Sequence, residues 1–459
     1  MRIRTRVLPA LALPLLLAAA TGCSSSAAPG PAAAARPTAD TAVDAAPGPA
    51  ADTAAPTAEA PAAVASPAAS GRPAARPAGS HGVRLVAYDR GTGKAVLDTP
   101  TAPGGGTGGT AGPDPDAVRP GRLIASPPTP AAPRGALVAV TGVQKTGNGR
   151  VEVTTRPAEV SELLGATTAE LHSAVDPHAI SVQPLVKDLK VAFATRPGGG
   201  TGSASARLVL AAHTSVPLPG RAAADLSADV ELDPAVDFSY DGTRLLKGGP
   251  EQARVGFALG AHADWKVSAA LTASATPLRV PIAKLSASPV LTVAGFPVVV
   301  NLDLTCYLTV GADGTVTVDT EQDLDGRWAV HADYHRGQGW ASTADPGTTT
   351  VGPVRARLAG NATLRTGLSA EASVGLYDTV GVGATVAPYL SSRVAGAVTA
   401  DTSGKPPHIE GSWSNTAGLD IDGKVFARIS VLGTPLFSKD LPLPGYHREW
   451  PLPSVGATR

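Results

Sequence analysis

The 459-residue sequence predicts a mainly β protein: a small β-rich N-terminal module, then an elongated, curved antiparallel sheet, sandwich or open barrel of long strands. Two observations carry this expectation. From Val255 to Leu271 every odd residue is apolar, while Gly256, His262, Asp264, Lys266 and Ser268 fill even positions, which is the period of a half-buried strand. The same alternation recurs in Leu226–Leu232 and, in even register, in Val298–Val310. Strands of that length with one apolar face must stack or roll up to hide it.

The chain opens with Arg2, Arg4 and Arg6, then an apolar run from Val7 to Ala20 interrupted by Pro9 and Pro14. That run is too short for a bilayer, which takes roughly 20 apolar residues, and has the layout of an export signal over residues 1–22. Ala20-Thr21-Gly22-Cys23 resembles the bacterial lipobox, whose cysteine is acylated on sulfur. The resemblance implies a lipid anchor on Cys23 and attachment to the extracytoplasmic face of the cell membrane. Stable anchoring needs two acyl chains or more. The alternative is a cleaved signal with an incidental cysteine. The only other cysteine, Cys306, lies in an apolar register and reads as a small buried hydrophobe.

Residues 23–80 are Ala, Pro, Thr, Ser and Gly with scattered charges and no aromatic residue, Leu or Ile; they read as a disordered tether. The small module is expected over 81–185. Gly82–Thr99 reads as a hairpin about Arg90–Gly93; three short strands follow, then a short helix over Pro157–Gly165. The large domain fills 186–459. Within it Val298–Val310 is expected to turn at Ala312-Asp313-Gly314 and return through Val316 and Val318. Leu358–Leu364 and Leu368–Leu376 are expected to form another strand pair.

The segments VRPGRLIAS (118–126), APRGALVAVTGVQKTGNGRVEVTTRPAEVSELL (132–164), FPVVVNLDLTCYLTVGADGTVTV (296–318), WAVHADYHRGQGW (328–340), SVGLYDTVGVGATVAPYLSSRVAG (373–396) and GSWSNTAGLDIDGKVFARISVLG (411–433) resemble a group of large secreted or surface-attached bacterial β-proteins. The matching positions are Gly121, Gly135, Thr155, Pro157, Tyr334, Gly337, Trp340, Tyr377, Pro388, Tyr389 and Trp413, which read as packing and turn geometry. The resemblance implies export and a β fold and carries no activity.

Chemistry is sparse. His331, Asp333 and His335 share one face of a strand and are the candidate metal ligands, imidazole being suited to zinc or copper. Asp420-Ile-Asp422-Gly423 and Asp323-Leu-Asp325-Gly326 mimic the start of a calcium loop without its later ligands and read as hairpin turns. Trp340, Trp413 and Trp450 fall near expected turns, where indole rings stack on sugars. No nucleophile elbow, zinc-protease helix or phosphate loop occurs. Lys plus Arg equal Asp plus Glu at 38 each, which excludes a nucleic-acid partner driven by charge. The expectation is a non-catalytic scaffold or binding module with no cofactor, bound to the membrane through lipid on Cys23 and facing a cell-wall polymer or surface protein. A carrier of an apolar ligand and a hydrolase acting on wall polysaccharide are the alternatives.

Overall fold

The computed structural model describes residues 61–68, 74–76, 82–99, 117–147, 149–195, 206–218, 223–243, 250–272, 277–403, 405–431, 434–442 and 445–452. Cys23 and most of the expected tether lie outside the described residues. Those that are described are mainly β, in two antiparallel sheets, and among them no helix is long and apolar enough to cross a membrane.

The first sheet has six strands: β1 (Ala63–Ala65), β2 (Arg84–Asp89), β3 (Lys94–Asp98), β4 (Leu123–Ser126), β5 (Ala136–Gly147) and β6 (Arg150–Pro157). Their spatial order is β1-β4-β5-β6-β3-β2. The expected hairpin at Arg90–Gly93 is present, Gly93 supplying the positive φ of 69° that its turn requires. Alternate residues serve two cores. Ile124, Val138 and Val153 pack inside the curl of this sheet, whereas Leu123, Ala125 and Leu137 join the core of the larger one.

Strand β1 corrects the expected limit of the tether. Ala62–Ala65 are buried and Val64 is fully enclosed, because three small apolar residues in extended conformation suffice to complete a sheet edge against β4. The boundary expected at 185 also moves. Helix α1 (Val160–Leu164), closed by a reciprocal capping box of Glu159 and Glu162, follows β6 directly, and the next strand already belongs to the large sheet.

That sheet has sixteen strands among the described residues: β7 (Thr168–Ala174), β8 (Ser181–Pro184), β9 (Lys190–Thr195), β10 (Ala206–Pro217), β11 (Ala223–Asp241), β12 (Gln252–Leu271), β13 (Leu278–Ala287), β14 (Val290–Val293), β15 (Phe296–Ala312), β16 (Thr315–His335), β17 (Gly339–Val351), β18 (Arg355–Leu376), β19 (Val380–Asp401), β20 (Lys405–Val431), β21 (Thr434–Pro442) and β22 (Tyr446–Pro451). At 20 residues, β12 extends roughly 66 Å at about 3.3 Å per residue.

The register reveals what the sequence concealed. β15 and β16 are not arms of a hairpin. Both lie antiparallel to the same strand, β18: Ala312 opposes Leu364, and Thr315 opposes Asn361. β18 is correspondingly one continuous strand through Gly367, not a pair. β12 ends opposite Val316 of β16 and β13 begins opposite Val310 of β15, both at the level of 312–315, whereas β17 gives way to β18 further along β16, opposite Leu324 and Glu321. The backbone thus crosses a crease between two lobes at 312–315, flanked by the end of β12 and the start of β13. This is how strands turn the corner of a packed sheet. The Asp313-Gly314 signal marks a sharp local bend in either topology. What selects the crease is that both segments find a common partner in β18.

The crease closes the sheet over its apolar face. Leu226, Phe257, Trp265 and Trp328 from one lobe share a continuous core with Leu308, Leu364, Val394 and Trp413 from the other. Buried Thr366 donates from Oγ1 to Gln322 Oε1 at 2.8 Å, joining β18 to β16 across that interior. The small sheet is held to the large one by charge as well. Arg134 makes a bidentate pair with Asp303 at 3.1 and 2.9 Å and reaches Asp378 at 3.2 Å, which also pairs with Arg90.

Gly314 sits where a Cβ would collide with the Asn361 carbonyl oxygen, and Gly360 has φ +147° against the Thr315 carbonyl. Gly314→Val is expected to destabilise the fold by about 2 kcal/mol or more, read from urea denaturation. Thr366→Val, which leaves the Gln322 amide oxygen buried without that donor, is expected to cost about 1–3 kcal/mol in the same measurement.

Candidate functional site: a polar depression on the outer face

Because side chains alternate, the residues between the apolar positions of β11, β12 and β16 all reach the opposite, outer face. Register then sets them in rows. Glu231 opposes His262, which opposes Asp325, which opposes Thr350; one row along, Asp233, Gly260, Arg327 and Thr348 align in the same way. A third row brings together Asp229, Asp264 and Asp323.

The first two rows and Arg207 of β10 line a solvent-open depression with a cavity volume of about 210 Å³. Gly260 makes its floor, since any other residue would fill it from below; a Cβ there would already lie 3.3 Å from Asp233 Cβ. Its charges are paired across strands. Arg207 Nη1 lies 3.1 Å from Glu231 Oε2, Arg327 Nη2 lies 3.6 Å from Asp233 Oδ2, and His262 Nδ1 lies 3.1 Å from Asp325 Oδ2.

His262 is the pivot. Its Nε2 also lies 3.4 Å from Asp264 Oδ2 and 3.7 Å from Asp323 Oδ2. Burial works against a charged imidazole here, but attraction to Asp325, Asp323 and Asp264 outweighs it and holds the pKa above the ordinary histidine value. Asp264 is pushed above the usual carboxylate range by burial and by the facing Asp323 carboxylate, with His262 pulling the other way. Among the described residues His262, Asp264 and Asp323 are the group whose ligand atoms converge closely enough to share a metal ion.

The sequence candidates do not converge. His331, Asp333 and His335 do share the outer face, yet each has its own surroundings. His331 lies over Gly256, with Nδ1 3.9 Å from Asp237 Oδ2, and burial followed by repulsion from Arg254 lowers its pKa. Asp333 is taken by Arg254 at 2.5 Å, and exposed His335 stands opposite Gln252 at the strand end. Spacing along one strand put them on one side; neighbouring strands decide the partners.

Both expected turns are mid-strand. Asp323-Leu-Asp325-Gly326 runs through β16, and Gly326 accommodates the Trp328 indole on the inner face. Asp420-Ile-Asp422-Gly423 runs through β20, where Asp420 pairs with Arg365 and with His447. The continuing period-two pattern was the signal that would have found Asp325. Trp413 is buried in the core, Trp340 packs on Tyr334 at 5.5 Å between ring centroids, and Trp450 lies near Arg448, so the three rings form no common platform. Cys306 is buried among apolar residues, and burial pushes its thiol up to about 12.

No family model, no curated protein and no solved structure matches this chain.

A group whose folded pKa is raised contributes stability at pH values below its unfolded pKa and loses it as pH rises through the folded value. His262 is therefore expected to titrate above the ordinary histidine value, and Asp325→Asn to lower its midpoint, both read from imidazole NMR shifts. Asp264→Asn removes the repulsion with Asp323 and is expected to leave the thermal midpoint at pH 7 unchanged or raised.

Proposed function

We propose that the protein is an exported, lipid-anchored surface module of non-catalytic kind. Acyl chains on Cys23 hold it to the outer face of the membrane, and the Ala- and Pro-rich segment after Cys23 keeps the β domain clear of the bilayer. The display face is the outer surface of β10, β11, β12, β16 and β17. A cell-wall polymer or a surface protein is the partner, nucleic acid is not, and no cofactor is required.

The observation that carries this reading is the pairing of the depression's charges. Arg207 and His262 each hold a carboxylate of the adjacent strand, and Arg327 reaches across β12 to Asp233 of β11. Groups fixed by mutual ion pairs on a rigid sheet are arranged to recognise; a nucleophile or general base needs a free lone pair directed at a reacting atom. The opposite face is committed to the core, its Leu, Val, Phe and Trp side chains packed against the other lobe, which favours display over carriage of an apolar ligand.

The anchor is tested by metabolic labelling with a palmitate analogue in an exporting bacterial host. Wild type is expected to incorporate the label and fractionate with membranes, and Cys23→Ser to lose the label and appear in the medium. Label retained by Cys23→Ser, or wild type free in the medium, would contradict the assignment.

A further inference from the structure

We propose that the depression over Gly260 binds one ring of a neutral, hydroxyl-rich ligand, a saccharide unit of a glycan. This deepens the display reading, since it names what the displayed face holds.

Size is the first argument. A cavity of about 210 Å³ is below the roughly 300–1,000 Å³ of sites that enclose drug-sized molecules, and it is open on one side. It suits a single small ring presented at the end or on the flank of a chain, and not a folded peptide segment or an acyl tail.

Charge balance is the second. Glu231 is paired with Arg207, Asp233 with Arg327 and Asp325 with His262, so each acid of the lining faces a basic side chain. An ion entering has to disrupt one of these pairs. Asp264 and Asp323, which carry the unbalanced negative charge, lie beyond His262 and outside the lining.

Hydrogen-bonding capacity is the third. The Glu231 and Asp325 carboxylates accept more bonds than one partner supplies, and a guanidinium carries five N–H groups. The Thr348 and Thr350 hydroxyls on β17 both donate and accept. Acceptors and donors thus alternate around the rim at strand spacing. A polyol meets that pattern because every hydroxyl donates and accepts at once, and neighbouring hydroxyls span a carboxylate or a guanidinium. A ligand that only accepts or only donates leaves half of the rim without partners, which is costly.

Position is the fourth. The lining comes from five hydrogen-bonded strands, β10, β11, β12, β16 and β17, so the groups are held before the ligand arrives. Preorganisation of this kind lowers the ordering cost of binding.

The test uses the full chain in a sugar-free zwitterionic detergent. Saturation-transfer NMR and calorimetry are run against neutral aldoses and N-acetylhexosamines, with inorganic phosphate, glutamate and calcium as charged probes. At least one neutral ring is expected to bind saturably. Gly260→Val, which fills the floor without removing a charge, is expected to weaken it at least about tenfold, equivalent to about 1.4 kcal/mol. Thr348→Val with Thr350→Val is expected to act in the same direction and serves if Gly260→Val does not fold. Absence of saturable binding by every neutral ring would overturn the proposal. So would binding indifferent to folded Gly260→Val or to the double threonine variant, or binding confined to the charged probes. Anchoring is read at Cys23 and recognition at Gly260, so either fails without the other.

Discussion

Everything in the large domain follows from one constraint: a strand that alternates for twenty residues has an apolar face too long to hide by pairing alone. β12 places Val255, Phe257, Leu259, Ala263, Trp265 and Val267 on one side. Each large apolar side chain gains about 1.5–3 kcal/mol when fully withdrawn from water. Antiparallel pairing satisfies the backbone but leaves that face exposed. The chain resolves this by folding one sheet across a crease, so that the same strands supply both walls of a shared core. Gly314 and Gly360 permit the close backbone approach at the crease, and Thr366 and Gln322 tie the walls together within it.

The outer face inherits its order from the inner one. Register chosen to bury Trp265 beside Gln322 also places Asp264 beside Asp323, and burying Leu259 beside Trp328 places Gly260 beside Arg327. A one-residue slip would exchange core and surface throughout, so the register is strongly specified. The depression is thus held by the core beneath it, and its charges stay matched without flexible loops. The same logic governs the far lobe. There the Tyr389 ring lies across Gly418 with Arg365 above it, and its hydroxyl donates to Glu449 of β22.

Much of the fold was legible in the amino-acid order. The mainly β class, the strand through Val255–Leu271 with its odd residues inward, and the hairpin at Arg90–Gly93 all rest on local periodicity or turn chemistry, which one chain displays. Asp313-Gly314 was misleading because a hairpin turn and a strand crossing a crease demand the same local bend. Ala63–Ala65 escaped because small residues carry little hydrophobic signal until another strand lies beside them. The candidate site was the least legible part. Glu231, His262, Asp325 and Thr350 meet only through pairings between four strands, and no spacing along the chain encodes those. His331, Asp333 and His335, which spacing did put on one face, meet different partners there, Asp237 across β12 from His331 and Arg254 on β12 beside Asp333.

The creased sheet is the claim on which the rest stands, and oxidative cross-linking of paired cysteines tests it directly. Register partners bring Cα atoms within disulfide reach, usually below about 6.8 Å. Thr317 and Ala359 are such partners, exposed on the same outer face. The creased fold predicts that a Thr317→Cys/Ala359→Cys chain closes a disulfide under mild oxidation, identified by peptide mass, and that a Thr309→Cys/Thr317→Cys chain does not. Closure of the second pair without the first would make β15 and β16 a hairpin and contradict the account.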